Sequence, residues 1–562
     1  MLSSRWILRI INTFMSNIRQ IKHYHNTGMI SKGRYIFIVL FIAGLLQPGF
    51  LLSQQKQKKK KPKKIEIIHA NSLRYDKNIN PNVRRFIGDV QFRHNDFNMF
   101  CDSAYFHSKN NRMEAYSNVH IERGDTLHLY GDYLTYRGNT NFGKVRKNVK
   151  LKDKEAQLLT DSLNFNTEQN HAHYFNGGKI INEDKTITSI KGDYYSSEKM
   201  AYFKDSVIVE SPDYTVKADT LNYNTEKETA YFIGPTDIYS DSSYLYCEKG
   251  WYKTKKNEFL FTQNAVYKKG SRTLKGDTLY YNEPKGYGKI KHNAEMIDTS
   301  KNVILKGHYS EYTEDPTSAY LTDQALMIYI DDEKDSLFLH ADTLRSHYDS
   351  TETYRIFKAY NKVKFFKYNL QGKCDSLSYT LKDSTIKMFN DPVMWSDSNQ
   401  VTGDTIKIFT ENNQINRFKI IDKSFMANQE DTAKYNQIKG SEMTGFFKDN
   451  QLRKIYVKNN SESIYFTKND KEQIVGVNKG KSSDLSIHLM DSKITHIKML
   501  KSPSGTLFPL KDIKETTLKG FQWLETFRPK SKEDIFIWET EPPRSISDTT
   551  KNQPDIDRQI QK

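Results

Sequence analysis

A carboxylate recurs along this chain directly after a small residue, and a row of carboxylates could bind metal ions or transfer protons. Asn71, His308 and Ser441 take the same position in other copies. Because Asn and Ser cannot do the work of an ionised carboxylate, we interpret the position as structural and predict neither a catalytic site nor a metal site. The aspartates at this position are Asp102, Asp132, Asp161, Asp193, Asp219, Asp277, Asp342, Asp375 and Asp404.

Other reactive patterns are missing from the sequence. It contains no Gly-rich phosphate loop after a strand, no H-E-x-x-H, no C-x-x-C and no G-x-S-x-G elbow. His171 and His173 have no ligand cluster around them in the sequence. Cys101, Cys247 and Cys374 each take the small position of a copy, as a small apolar residue can. We therefore expect no enzyme activity and no cofactor.

The small residue and its acid belong to a unit that recurs thirteen times between about residues 65 and 445, with 26 to 37 residues between copies. Residues 218–234, ADTLNYNTEKETAYFIG, are one example. After the acid come an alternating run, a polar turn, an aromatic run, a kink with Gly, Asn or Asp, and a third extended run. Period-two alternation and aromatic or β-branched residues are typical of strands. The sequence predicts an elongated, repeat-built all-β fold.

The acid needs a special place in such a strand. In a straight strand Asp219 would share a face with Leu221 and Tyr223, where an unpaired carboxylate would be costly. We therefore expect the acid at a corner, where it would accept hydrogen bonds from backbone N–H groups, as Asp does in turns. A repeated small residue also indicates that something packs closely there or that the backbone turns sharply.

The alternating runs supply the candidate interior. Their apolar side chains share one face, which we expect to line the inside of the fold. The candidates are Leu163, Phe165, Leu221, Tyr223, Leu279, Tyr281, Leu377 and Tyr379.

The net charge of +17 invites a nucleic-acid interpretation. However, residues 1–64 carry thirteen Lys and Arg and no acid, so +4 remains for the other residues. Because the repeats have mixed charge and no nucleic-acid-binding motif accompanies them, we do not expect a nucleic-acid partner.

The N-terminal region has the pattern of an export signal. Lys32 and Arg34 precede an apolar run at 35–46 and the breaker Gln47-Pro48-Gly49. We interpret residues 1–53 as an upstream extension followed by a signal peptide, with translation starting at Met29. We expect cleavage near Gln54. The alternative is an uncleaved anchor. We assign 54–64 to a Lys-rich linker, 65–445 to the repeats, 446–539 to divergent β repeats with a closing aromatic cap, and 540–562 to a disordered tail.

The repeats, the opening run IEIIHANSL and kinks such as Ser117-Asn118-Val119 and Lys147-Asn148-Val149 resemble the OstA-like family. That family includes the organic-solvent-tolerance protein and the periplasmic bridge of lipopolysaccharide transport. The chain is similar to its large Bacteroidetes members in length and tyrosine content. The resemblance implies a folded-over antiparallel β-jellyroll, V-shaped in section, stacked like a solenoid, with an apolar interior for lipid A acyl chains.

The resemblance also implies a function. The chain would be a periplasmic lipid-binding bridge that carries lipopolysaccharide through an apolar groove toward the outer membrane. It would thereby contribute to outer-membrane assembly. Its partners would be lipopolysaccharide, other transport proteins of the inner and outer membrane, and further copies of itself end to end. The alternative is a structural or adhesive β-solenoid with a packed core and no lipid ligand. A carbohydrate-active β-helix would need a local cluster of acids, which the sequence lacks.

Overall fold

A computed structural model of the chain describes residues 63–538, apart from 76–81, 126, 153–155, 183–184, 196, 301, 331–335, 381, 412–413, 449–450, 470, 472, 491–492 and 514. The expected leader, most of the linker and the expected tail lie outside the described residues. The described part forms 38 strands joined in one sheet, which confirms the all-β prediction. No helix within it has the length and apolar character to cross a membrane.

The strands up to residue 298 are mostly 11 or 12 residues long. They are β1 (Glu66–His69), β2 (Ser72–Arg74), β3 (Val83–His94), β4 (Phe97–His107), β5 (Arg112–Arg123), β6 (Leu127–Arg137), β7 (Phe142–Lys152), β8 (Ala156–Asn166), β9 (His171–Tyr174), β10 (Gly178–Asn182), β11 (Lys185–Ser189), β12 (Lys191–Tyr195), β13 (Met200–Glu210), β14 (Tyr214–Asn224), β15 (Thr229–Ser240), β16 (Ser243–Lys253), β17 (Glu258–Lys269), β18 (Arg272–Asn282) and β19 (Tyr287–Asp298).

Later strands vary more in length. They are β20 (Val303–Glu314), β21 (Thr317–Ile330), β22 (Ser336–Tyr348), β23 (Arg355–Tyr360), β24 (Val363–Lys367), β25 (Leu370–Cys374), β26 (Ser376–Thr380), β27 (Thr385–Phe389), β28 (Val393–Ser396), β29 (Asn399–Thr402), β30 (Thr405–Glu411), β31 (Gln414–Asp431), β32 (Lys434–Lys448), β33 (Gln451–Lys458), β34 (Ser461–Lys468), β35 (Ile474–Ser482), β36 (Asp484–Met490), β37 (Lys493–Leu500) and β38 (Ser504–Pro509). Short 3₁₀ turns lie at Thr254–Lys256, Glu283–Lys285, Leu510–Asp512, Glu525–Phe527 and Asp534–Phe536.

The kinks of the repeat are β-bulges. Tyr116 pairs with Tyr133 and Val119 with Gly131, so two residues of β5 stand opposite one residue of β6. The two bulged residues, Ser117 and Asn118, have φ of 63° and 50°. Non-glycine residues rarely adopt this left-handed region, although Asn does so more readily than most. Bulges bend a strand, and the same feature recurs in the neighbouring hairpins.

The bends divide the sheet into two layers. Wall A holds the halves of β5 and β6 at 112–116 and 133–137, and wall B holds the halves at 119–123 and 127–131. Ring contacts join the walls: Phe92 of wall B lies 5.8 Å from Phe86 and 6.3 Å from Phe106, both of wall A. The inward side chains form two large cores, one from Ile65 to Ala294 and one from Val303 to Ile487.

The small residue lies beneath a side chain of the next strand in several units. A Cβ on Gly276 would lie 2.2 Å from Cγ2 of Ile290, and a Cβ on Gly131 would lie 2.4 Å from Cγ1 of Val145. Both neighbours stand two residues before a bulge and are buried. The expected close packing therefore comes from an inward side chain that leans over the preceding strand where the sheet bends.

We expect Gly276→Val to destabilise the fold by about 1–3 kcal/mol, because overpacking forces shifts in a close-packed core. The measurement is the free energy of unfolding from a denaturant titration. Cys247→Ala is the matched control, since it changes the same position of another unit without adding volume, and we expect it to cost less than about 1.5 kcal/mol. Equal stability of Gly276→Val and the wild type would contradict this packing.

The repeat continues past the boundary expected at residue 445. Ser483 N–H donates to Lys501 O at 2.9 Å, as Ser441 N–H donates to Asn459 O at 3.0 Å. Lys501 and Ser502 also have left-handed φ angles. Ser482-Ser483 is thus a further copy of the anchor, which the sequence did not reveal because no acid follows the small residue.

The segment in which we expected a closing aromatic cap follows the outer face of wall B. Residues 511–538, which we call the strap, run from β34 and β35 back to β22. Leu518 N–H donates to Gln437 Oε1 of β32 at 2.8 Å, Leu524 N–H donates to Gln400 Oε1 of β29 at 2.7 Å, and Arg528 Nε donates to Gln371 Oε1 of β25 at 2.8 Å. The strap lies there because β28 and β31 carry apolar side chains on both faces and need a second cover.

Candidate functional site: the interior between the walls

The eight interior candidates all lie on wall A. Six of them are buried, while Phe165 and Tyr281 are half-buried. They share one wall because the alternating run after the acid is always the same half of its strand. The six buried candidates are Leu163, Leu221, Tyr223, Leu279, Leu377 and Tyr379.

Wall B supplies the opposing surface, and none of the eight candidates lies on it. Its buried side chains include Phe92, Ile121, Leu151, Val209 and Leu339. The signal for them was the third extended run of each unit, such as Val207-Ile208-Val209, which is apolar in sequence. The apolar interior is therefore lined from both sides.

The interior is packed in most of the described repeats. Leu221 and Tyr223 are 1% exposed and Tyr379 is 0% exposed. A cavity of about 50 Å³ remains between the walls, where Leu127, Leu129 and Leu151 of wall B face Leu163 and Phe165 of wall A. Ligand pockets usually measure about 300–1,000 Å³. An acyl chain could therefore enter this interior only if the walls moved apart.

A polar contact bridges the walls near the first repeats. His94 of wall B and Tyr136 of wall A form a buried hydrogen bond of 2.8 Å. Burial lowers the pKa of His94 and raises the pKa of Tyr136 to about 12, so both groups stay neutral near pH 7. Lys63 O accepts hydrogen bonds from His94 Nε2 at 3.1 Å and from Asn111 Nδ2 at 3.0 Å. The N-terminal segment therefore crosses between the rims of the two walls.

A second cavity, of about 510 Å³, lies outside the interior. It is lined by Thr322, Asp323, Gln324, His340, Asp342 and Phe536. Phe536 belongs to the strap, and its ring lies 4.5 Å from that of His340 on β22. This cavity is separate from the eight candidates.

The repeated acids lie at the bends on the outer side of the fold. Their partner is usually the side-chain amide of the bulge on the following strand: Asn118 donates to Asp102 at 2.9 Å and Asn148 to Asp132 at 2.7 Å. The same pairing joins Asn293 to Asp277 at 3.1 Å, Asn390 to Asp375 at 3.4 Å and Asn264 to Glu248 at 2.8 Å. The acids thus hold neighbouring bulges in register, whereas we expected them to cap backbone N–H groups.

The remaining acids use other neighbours. Asp342 Oδ2 lies 3.6 Å from Nζ of Lys362, which follows the bulge asparagine. Asp404 Oδ1 lies 3.1 Å from Nζ of Lys423, which replaces it. Asp219 accepts a hydrogen bond from Thr220 Oγ1 at 3.1 Å and packs against Gly234, while Asp161 is exposed.

Two features that the sequence left open have simple structural roles. Asp193 Oδ1 lies 2.7 Å from His171 Nε2 and 3.0 Å from His173 Nδ1, so it pairs with both histidines across two strands. The three cysteines are free, buried thiols. Burial raises the pKa of Cys101 and Cys247 to about 12, and raises the pKa of Cys374 as well, so these thiols are unreactive.

Comparisons with known proteins place two segments of the chain in related families. Residues 62–219 match the family model of the OstA-like protein, and residues 331–414 match that of the LptA/(LptD N-terminal domain) LPS transport protein. Among solved structures, the chain is similar to LptH of Pseudomonas aeruginosa, described as the LptA homologous periplasmic component of the lipopolysaccharide transport device. The match has 10% identity and a TM-score of 0.17, and it covers 18% of this chain and 76% of that one.

No curated protein matches the chain in sequence. The two family models fall on the repeats that carry the resemblance, on either side of the junction between the two large cores. Residues 62–219 are therefore similar to the OstA-like protein family, and residues 331–414 are similar to the LptA/(LptD N-terminal domain) family.

Proposed function

We propose that this protein is a non-enzymatic, periplasmic lipid-binding bridge that carries lipopolysaccharide toward the outer membrane. The acyl chains would lie between wall A and wall B. The description of the family that matches residues 331–414 names lipopolysaccharide transport, which supports this proposal. The observation that carries it is the apolar interior, lined from both walls in unit after unit from Ile65 to Ile487.

Lipid entry would require the walls to part. Their inner side chains now contact one another, and an acyl chain would replace these apolar contacts with contacts of the same kind. Such an exchange costs little hydrophobic free energy, since apolar surface stays away from water in both states. The bulges would serve as hinges, because each joins the walls through a few residues with left-handed φ angles.

The open ends of the sheet suit the proposed partners. β1 and β2 pair with β3, one on each wall, and carry exposed Ile68 and Leu73. At the other end β37 pairs with β36 and β38 with β35, and Leu507 is exposed. Edge strands present unpaired backbone groups to a further strand. We propose that transport proteins of the two membranes, or further copies of this chain, add to these edges.

The proposed location in the periplasm, with association at the outer membrane, rests on the export signal expected within residues 29–53 and on the matched family. The signal lies outside the described residues. An uncleaved anchor would leave the repeats on the same side of the inner membrane, so the proposed function does not depend on cleavage near Gln54.

A structural or adhesive β-solenoid without a lipid ligand is the second candidate. The packed interior favours it, since Leu221, Tyr223 and Tyr379 already fill the space between the walls. The two candidates differ in whether lipopolysaccharide ever reaches the inner side chains.

Photo-crosslinking in cells distinguishes the two candidates. We expect an aromatic photoreactive residue at Phe165 or Tyr281 to form lipopolysaccharide adducts, because both side chains are half-buried, face the interior and match the probe in shape. The outward neighbours Asn164 and Tyr280 are the controls, and we expect no adducts there. Leu221 and Leu279 test the more deeply buried positions. Equal labelling of both faces, or none on either, would leave only the structural solenoid.

A further inference from the structure

Three potential metal ligands meet on the outer face of wall B. His120 and Glu122 lie on β5 and His128 lies on β6. Glu122 pairs directly with His128, and His120 pairs with Tyr130, so the two histidines are diagonal neighbours on one face. One ligand atom from each of the three side chains lies within 4.8 Å of the others. Their inward neighbours Ile121 and Leu129 belong to the core, so this face is separate from the proposed lipid interior.

The histidine nitrogens have the separation that a metal ion requires. His120 Nε2 and His128 Nδ1 lie 3.1 Å apart. Two nitrogens that each bind zinc at about 2.0–2.1 Å with a tetrahedral angle lie about 3.3 Å apart. The observed separation of the two nitrogens is therefore within a few tenths of an ångström of the separation in a zinc site.

The surroundings orient the three side chains. The ring of His120 stacks on the ring of Tyr130, with a centroid distance of 4.5 Å and an interplanar angle of 4°. On its other side it stacks on the ring of Phe100 of β4, with a centroid distance of 5.6 Å. Asn98 Nδ2 donates to Glu122 Oε1 at 3.2 Å, which leaves the second carboxylate oxygen for an ion. Such outer contacts fix ligand orientation in metal sites.

We propose that His120, Glu122 and His128 bind a divalent transition-metal ion, with Zn²⁺ as the preferred ion. Imidazole and carboxylate donors suit zinc and its neighbours in the first row. Three protein ligands leave a fourth position open, and the half-exposed face directs it outward, where water or an anionic oxygen would complete the coordination. Lys150 and Lys152 lie on the next strand and would repel a cation. Both side chains are exposed, so solvent screens this repulsion.

The test is zinc titration of the tag-free full chain by calorimetry, followed by Co²⁺ absorption spectroscopy of the same site. A polyhistidine tag must be absent because it would bind zinc itself. We expect one saturable equivalent of zinc. His120→Ala and His128→Ala should each weaken binding by at least about 100-fold, because ligand loss should exceed the effect of losing an outer contact. Glu122→Gln keeps the size of the side chain and should also weaken binding.

His496→Ala is the matched control. His496 is an exposed histidine that pairs with His488 across two strands, as His120 and His128 meet across theirs, but the three-ligand group does not include it. This variant should bind zinc as the wild type does. The altered ligands face outward, so circular dichroism of each variant should match the wild type. Absence of saturable binding to the wild type, or equal binding by His128→Ala, would overturn the proposal.

Discussion

Removal of the strap and tail, residues 511–562, is expected to destabilise wall B between β24 and β35 by about 5 kcal/mol. Trp395, Phe425 and Phe466 lie on the strap side of this wall and are buried. Each large apolar side chain that loses its cover costs roughly 1.5–3 kcal/mol. The loss of stability should appear as local opening, because no strap residue belongs to the first core, which runs from Ile65 to Ala294.

Native-state hydrogen exchange measures this loss locally. Amides of residues 363–482 should exchange roughly 4,000-fold faster in the truncated protein, since each 1.4 kcal/mol corresponds to a factor of ten. Amides of residues 83–294 serve as the internal control and should keep their rates. Uniform acceleration along the chain, or no change at 363–482, would contradict the covering role of the strap.

A full-length variant separates loss of the cover from loss of chain length. Gln371, Gln400 and Gln437 of wall B contact strap backbone or side-chain groups through their amides, and all three are buried. Replacing all three with Ala keeps every strap residue but leaves strap groups, among them the N–H of the buried Leu518, without these partners, at up to about 1–3 kcal/mol for each buried group. We expect faster exchange in the same region as in the truncated protein.

The periodic parts of the fold were readable from the sequence. The alternation of Leu163 with Phe165, or of Leu279 with Tyr281, depends only on residues two apart in one strand. The bulges were readable for the same reason, since Ser117-Asn118 and Lys147-Asn148 are local pairs of residues that tolerate left-handed φ angles. Local patterns of this kind needed no knowledge of what each strand contacts.

Contacts between distant parts of the chain were not readable. The Asn118–Asp102 pair joins different strands, so the sequence indicated a polar corner but not its partner. Arg528 meets Gln371 across 157 positions, and nothing in the aromatic segment around Phe521 and Trp523 indicates that it turns back along wall B. The His120–Glu122–His128 group was missed because its members look like scattered polar residues until β5 and β6 pair.

The packed interior changes what a lipid-transport function would demand of this fold. A permanently open groove would expose apolar surface to water, whereas the closed walls bury Leu221, Tyr223 and Tyr379. The closed form would then be the resting state, and lipid would enter by displacing contacts between the walls. Opening would begin most easily near Phe165 and Leu127, where both side chains are half-buried and border the cavity between the walls.

Tethering the two walls at this cavity is expected to weaken lipid binding. Leu127 of wall B and Phe165 of wall A line the same small cavity, so cysteines at these positions should be bridged by a short bis-maleimide. Cys101, Cys247 and Cys374 should stay unmodified, because burial raises the pKa of each thiol and only thiolates react. Peptide mass spectrometry would verify that the bridge joins the two engineered positions.

The bridged protein should bind lipopolysaccharide at least about tenfold more weakly than the same double variant before bridging, which corresponds to about 1.4 kcal/mol or more. The double variant capped with N-ethylmaleimide is the matched control, because it carries similar added bulk at Leu127 and Phe165 without joining the walls. Its affinity should stay close to that of the unmodified variant. If the bridged and capped forms bound lipopolysaccharide equally well, entry by parting of the walls at this cavity would be wrong.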